Sequence, residues 1–277
     1  MERFVAILAP TPERSPIAPA IRNAISHAED MSVMIDRDDM LVAGGRGHIQ
    51  HLGDDIGMVI GPIFATGKSD PATLPSDVAP GGQPSELHRF SQDHWGNFVA
   101  ILRDDTGGFH VLRPAFGRLP CFHAMQGDQL ILASDMALLS LGGWRFRGVD
   151  WSAILRRLAL KDIPSPFTCL TGVQELRGGS RLHFTPKSLS VTQTWNPWDR
   201  AGRRHWINDR NEATRMIRRA VSTATRASTV GTQRALLMLS GGIDSSVLAA
   251  ALRTHGCPFT CFNLASRAAM GDERHYA

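Results

Sequence analysis

Residues 234–255 read RALLMLSGGIDSSVLAAALRTH. Residues 235–239 form an unbroken apolar run, as a buried parallel strand would. Ser240-Gly241-Gly242 is a tight turn, and residues 244–255 follow as a helix with Val247, Leu248, Ala251 and Leu252 facing inward. The order is strand, glycine-rich loop, helix. It suits a phosphate, because a helix start presents unsatisfied backbone N–H groups and about half a positive charge. Glycines let the backbone come close to the anion, and Ser240, Ser245 and Ser246 add hydroxyl donors. Asp244 would repel a phosphate directly; it fits as the holder of a magnesium ion that bridges to phosphate oxygens. No lysine follows the glycines, so the string is not G-x-x-x-x-G-K-[ST]. It suits a departing pyrophosphate better than transfer of a terminal phosphoryl group. An incidental glycine turn needs no ligand, but S-G-G-x-D-S-S arises by chance in such a chain only about a few times in a hundred thousand.

Upstream, the apolar residues Ala213, Met216, Ile217, Ala220, Val221 and Ala224 recur at helical spacing, which predicts a helix over 209–227 with one apolar stripe. Asp150 can cap a helix running to Leu160, with Trp151, Ile154, Leu155 and Leu158 on one face. Residues 181–184 and 189–194 read as strands. Between Arg145 and Arg234 there are 17 basic and 6 acidic side chains, which reads first as a solvated surface. The first half is rich in short apolar runs separated by Gly, Asp and Pro: residues 4–8, 58–64, 98–102, 109–112 and 129–133 read as strands. Residues 66–86 are dense in Pro, Gly, Ser and Asp and read as a surface loop.

The 277 residues suit about two domains. Hydrophobic content of 43% excludes wholesale disorder, and a formal charge of +4 permits an anionic ligand without arguing for nucleic acid. Cys121, Cys169, Cys257 and Cys261 have no C-x-x-C spacing, which disfavours a metal knuckle; Cys257 and Cys261 read as core residues. His88, His94, His110 and His123 are scattered and read as structural. The N-terminal apolar run is too short for a signal segment, and no window suggests a membrane span. The expectation is a cytoplasmic protein with reduced thiols.

SGGIDSS (240–246) resembles the pyrophosphate-binding loop of the N-type ATP pyrophosphatases, which include asparagine synthetases, GMP and NAD synthetases and tRNA-modifying enzymes. The upstream sequence chooses among them. WGNFVAILRD (95–104), LRPAFGRLPCFHA (112–124) and LILASD (130–135) resemble the amidotransferase-like half of asparagine synthetases. Residues 149–184 resemble the segment joining its two halves. The resemblance implies an α+β Ntn-hydrolase-like αββα sandwich over 1–142 and a connecting segment over 143–207. Over 208–277 it implies the start of an α/β parallel-sheet domain that binds an adenine nucleotide. It implies ATP and Mg2+ as cofactors, with Met238, Ser240, Gly241, Gly242, Asp244, Ser245, Ser246 and Leu264 around the nucleotide and Asp244 on the metal.

Three departures bear on the activity. The family's glutaminase cysteine directly follows the initiator methionine, and here Glu2 stands there. The glutamine-binding "NGEIYNH" segment corresponds to GPIFATG (61–67), and the usual Arg-Asp to Arg113-Pro114. All three point to a first domain without glutamine hydrolysis. That pattern resembles the lasso-peptide macrolactam cyclases and the β-lactam synthetases, the former more closely through 66–86 and RPAFGRLP. The function implied is an ATP-dependent amide-forming ligase that closes a macrolactam in a lasso-peptide precursor. The alternatives are an ammonia-using asparagine synthase and a non-catalytic fragment. A peptide or amino-acid substrate and a precursor-peptide or processing-protease partner are implied, with no nucleic acid and no membrane. CPFTCFNL (257–264) reads as the second parallel strand, and GDERHYA (271–277) as the start of a further acidic stretch and helix. The domain then reads as C-terminally truncated, with its catalytic residues beyond Ala277, and the 277 residues alone are expected to be inactive and to release no pyrophosphate.

Overall fold

The computed structural model describes residues 2–45, 47–53, 56–74, 84–161, 163 and 165–264. The first elements are β1 (Phe4–Leu8), α1 (Pro19–Ser26), β2 (Ser32–Asp36), β3 (Met40–Gly44), β4 (Ile49–Leu52), β5 (Gly57–Ile60) and β6 (Ile63–Ala65). Next come α2 (Pro84–Asp93), β7 (His94–Gly96), β8 (Val99–Arg103), β9 (Phe109–Arg113), β10 (Phe122–Gln126), β11 (Gln129–Ala133) and α3 (Met136–Leu141). Then follow α4 (Trp151–Leu160), β12 (Val173–Glu175), β13 (Ser180–Thr185), β14 (Ser188–Gln193) and α5 (Trp198–Ala201). The last are α6 (Arg210–Thr229), β15 (Ala235–Met238), α7 (Ile243–Thr254) and β16 (Phe259–Phe262). Two compact units result: Met1–Ile63 with Thr73–Pro197, and Phe64–Ala72 with Trp198–Ala277.

Two six-stranded sheets build the first unit, in the orders β12-β10-β11-β1-β3-β2 and β14-β13-β9-β8-β5-β4. Neighbouring strands in both are antiparallel. The sheets share a core: Phe4, Leu8, Val42 and Leu132 of the first pack with Met58, Ile101, Phe109 and Leu182 of the second. The opposite face of the first sheet, with Val5, Ile7, Leu41 and Ile131, packs on Ile25 of α1 and Leu138 and Leu139 of α3. Helix α2 buries Leu87 and Phe90, and the Phe90 ring meets Phe98 edge-on at 6.2 Å. This is the expected α+β αββα sandwich. It explains the unbroken apolar runs FVAIL, GMVI and QLILA, whose residues are buried throughout: a strand covered on both faces has no solvent side to alternate with. Strand β14, at the sheet edge, is exposed along its length.

Several boundaries differ from the sequence reading. The strand expected over 58–64 breaks at Gly61-Pro62, where proline has no N–H to continue the ladder. Residues 84–86 of the expected loop open α2, and 75–83 lie outside the described residues. Asp150 caps α4, accepting from the Ala153 backbone N–H at 2.9 Å. Of the apolar residues of α4 only Ala153 is buried, however: Trp151 is 70% exposed, Leu155 66% and Leu158 71%. Helical periodicity shows that one face is apolar and not that anything covers it.

His123 on β10 is 4% exposed, and burial pushes its imidazole down to about 4. Its folded value lies below its unfolded one, so the unfolded chain binds the extra proton between them. Stability should therefore be steady above pH ~6.5 and fall as pH drops toward ~4, by about 3 kcal/mol from this group. Urea denaturation across that range should show a flatter profile for His123→Leu; an identical slope in the variant would remove His123 as the cause.

In the second unit, β15 and β16 pair in parallel with Ala235 opposite Phe259 and Met238 opposite Phe262. Helix α7 connects them. Asp209 caps α6 through the Asn211 N–H at 2.8 Å. The expected apolar stripe of α6 is not buried. Met216 and Ile217 are exposed, and the buried residues are Thr225 and Ala227 near the C-terminal end. There Ser222 Oγ lies 3.1 Å from His255 Nε2. Of the α7 residues read as inward-facing, Leu252 is buried while Val247 and Leu248 are exposed. Cys261 is exposed and Cys257 partly so, against the core reading; one parallel strand pair and two helices cover little surface. Residues 271–277 lie outside the described residues.

Candidate nucleotide site

Residues 239–242 form the turn between β15 and α7, and 243–246 open the helix, at the C-terminal edge of the parallel pair, where ligands of open α/β sheets bind. Gly241 has φ +82°, a left-handed conformation that a side chain resists. Gly242 is the N-cap of α7 and supplies no side-chain bond. The start of this 12-residue helix is therefore uncapped by any side chain of its own, and its first N–H groups face the loop. A Cβ on Gly242 would meet only Ser240 Oγ, at 3.4 Å, so the backbone there is open to a close approach.

The serines are turned onto the loop itself. Ser240 Oγ lies 3.3 Å from Ser245 Oγ and accepts from the Gly242 N–H at 3.4 Å. Ser245 and Ser246 donate to the Gly242 carbonyl at 3.1 and 2.9 Å. Ser245 and Ser246 must turn their hydroxyls away from the Gly242 carbonyl before they can donate to an anion. Asp244 sits exposed in the first turn of α7, and among the described residues no cation is paired with it. Its carboxylate is free to take a hydrated divalent ion, and the donor set as a whole fits a magnesium-bound phosphate group.

Met238 and Leu264 both lie near this edge. Met238 pairs with Phe262, and Leu264 follows two residues later; both side chains are exposed. Sequence reading missed Asn263. Its Nδ2 donates to the Leu239 carbonyl at 2.7 Å, tying the end of β16 to the residue before the loop. Its Oδ1 is buried without a hydrogen-bond partner among the described residues. Nothing in the string CFNL marks that role, because it depends on the register of two strands.

Position 2 is a glutamate. Cys121 is fully buried, and burial pushes its thiol up to about 12, so no thiolate forms there near neutral pH. Arg113, before the Gly-x-x-Pro string, is engaged in the framework: its Nη1 donates to Glu175 Oε1 at 2.7 Å and to the Leu176 carbonyl at 2.6 Å. Asn97 Oδ1 accepts from the Leu119 N–H and fixes the 116–120 turn.

Residues 216–277 match the family model described as asparagine synthase. Comparison with curated proteins finds no match. Among solved structures, the chain is similar to glutamine phosphoribosylpyrophosphate amidotransferase from B. subtilis, complexed with ADP and GMP. The TM-score is 0.41 and the identity 10%, over 96% of this chain and 66% of that one. A second similar structure is described as the allosteric regulatory enzyme of purine biosynthesis, with TM-score 0.41, identity 8% and the same coverage. The chain thus spans just under two thirds of the length of these two proteins. No helix among the described residues is long and apolar enough to cross a membrane.

Proposed function

We propose that this chain is an ATP-dependent amide-forming ligase of the asparagine synthase type. In this reading it adenylates a carboxylate with release of pyrophosphate, and an amine then displaces AMP. The observation that carries the proposal is the open, glycine-lined start of α7 directly behind β15. The asparagine synthase match over 216–277 supports a ligase of this general kind.

The backbone N–H groups at 243–245 and the hydroxyls of Ser240, Ser245 and Ser246 would hold the phosphates, and Asp244 would hold magnesium. Magnesium, when bound, supplies neutralisation of phosphate charge. The polypeptide's own work is to orient the phosphates in line and to stabilise the pyrophosphate as it leaves. The edge near Met238 and Leu264 is the place for the adenine. Within this reading the amine is internal to the substrate and the product is a macrolactam in a lasso-type peptide precursor. Support comes from the first unit, where Glu2 stands at the position of the family's cysteine and burial keeps the Cys121 thiol protonated. The four unpaired cysteines fit action in the cytoplasm.

The test is to incubate the full-length protein with ATP, Mg2+ and a peptide bearing a free N-terminal amine and an acidic side chain. The expected result is a product lighter by one water, with one pyrophosphate released per ring closed. Conversion of aspartate and ammonia to asparagine instead would favour the asparagine synthase reading. Binding of ATP with no pyrophosphate release on any substrate would favour a binding module.

A further inference from the structure

We propose that Asp104, His110 and His183 form a binding site for one divalent transition-metal ion of the zinc class, clamping β8, β9 and β13 together. This site lies in the first unit and is independent of the nucleotide loop. His110 on β9 and His183 on β13 are directly opposite one another in the antiparallel register. Asp104 follows the last residue of β8 and opens the turn into β9. One ligand atom from each residue lies within 4.8 Å of the other two.

The distances bracket those of a metal site. Asp104 Oδ2 is 2.9 Å from His183 Nε2 and 3.9 Å from His110 Nε2. Two ligands of a tetrahedral zinc ion at 2.0–2.1 Å lie about 3.4 Å apart. The carboxylate is already oriented. Its Oδ1 accepts from the Thr106 N–H, the Thr106 hydroxyl and the Gly108 N–H at 2.7–2.8 Å, which leaves Oδ2 for the imidazoles. Such outer bonds fix the direction of a ligating carboxylate. Gly108 keeps that oxygen clear, since a Cβ there would lie 2.6 Å from it. Burial alone would raise the Asp104 carboxyl, but the bonds from Thr106, His183 and Gly108 outweigh it and hold it at about 2, so the ligand is an anion at neutral pH.

The two imidazoles stack with centroids 4.1 Å apart and planes at 21°. A metal must lie near the plane of each ring, so one ring has to turn about its Cβ–Cγ bond. His110 is held in the core, whereas the His183 side chain is 33% exposed and has the room. The ion takes the place of the proton shared by His183 Nε2 and Asp104 Oδ2; the ligating imidazole stays neutral with its one N–H at Nδ1, and a second proton, where the ring carries one, goes to solvent. Two imidazoles and one carboxylate favour zinc, cobalt or nickel over magnesium or calcium.

Titration of the chelator-treated protein with Co2+ alone tests this. The expected result is one equivalent bound in the micromolar range, with visible ligand-field bands and displacement by Zn2+. His183→Ala, at a partly exposed position, should weaken binding by about tenfold or more. Asp104→Asn keeps the turn acceptor but removes the anion, and should do the same. Absence of the bands, or equal affinity in wild type and both variants, would overturn the site. His205→Ala, outside the cluster, serves as the reference for adventitious histidine binding and should leave the affinity unchanged.

Discussion

Asp244→Ala should weaken Mg2+-dependent ATP binding by about 100-fold or more while leaving the fold intact. The side chain is exposed in the first turn of α7 and makes no ion pair among the described residues, so nothing structural depends on it. Its loss removes a favourable charge from a helix start, a stability change of about 0.5 kcal/mol. Its effect on the nucleotide is far larger, because the carboxylate is the one anionic group in the loop that can hold a cation against the phosphates. Calorimetric titration of wild type and variant with ATP, with and without Mg2+, gives the answer. Wild type should depend strongly on the metal and the variant weakly. Equal, metal-dependent affinity in both proteins would place the ion elsewhere and take the ligase reading with it.

Gly57→Ala should destabilise the first unit by more than about 3 kcal/mol. Gly57 opens β5 with φ +144°, a conformation that side chains rarely adopt. A Cβ there would lie 2.0 Å from the Ile101 carbonyl oxygen and 3.0 Å from the Ile101 carbonyl carbon and the Leu102 Cα. These are backbone atoms of the paired strand β8, so no rotamer relieves the clash; the sheet itself must part. Gly127, in the turn between β10 and β11, is the internal comparison. It also has positive φ, at +61°, but a Cβ there meets nothing within 4 Å. Gly127→Ala should cost only the backbone strain, about 1–2 kcal/mol. Urea denaturation of the two variants separates the contributions. Similar losses in both would mean that the β5–β8 contact relaxes more easily than its geometry implies.

The local structure of the 240–246 string was legible because all of its parts lie within seven residues. A strand, two glycines and a helix start follow from propensity, and the loop's serines and aspartate are adjacent in sequence. The strands with unbroken apolar runs were legible for the same reason. Strand β10, FHAMQ, was not: it has no β-branched residue, and it forms because its neighbours β11 and β12 supply the ladder. Helix α1 escaped notice because only Ile25 is buried in it and proline opens it. The apolar faces of α4 and α6 were legible as stripes, and their exposure was not, since burial is a property of the neighbours.

The cluster at Asp104 shows the same division from the other side. Its aspartate and its second histidine are 79 residues apart, and no spacing rule connects them. His110 looked like an isolated core residue until the register of β9 and β13 put it opposite His183. The sequence by itself determined the composition of the nucleotide loop, the absence of a cysteine at position 2 and the locations of most strands, because these are set by neighbouring residues. Only the tertiary structure decided which side chains meet across strands, which apolar faces are covered and which glycines are indispensable. Those depend on atoms brought together from distant parts of the chain by the pairing of two six-stranded sheets.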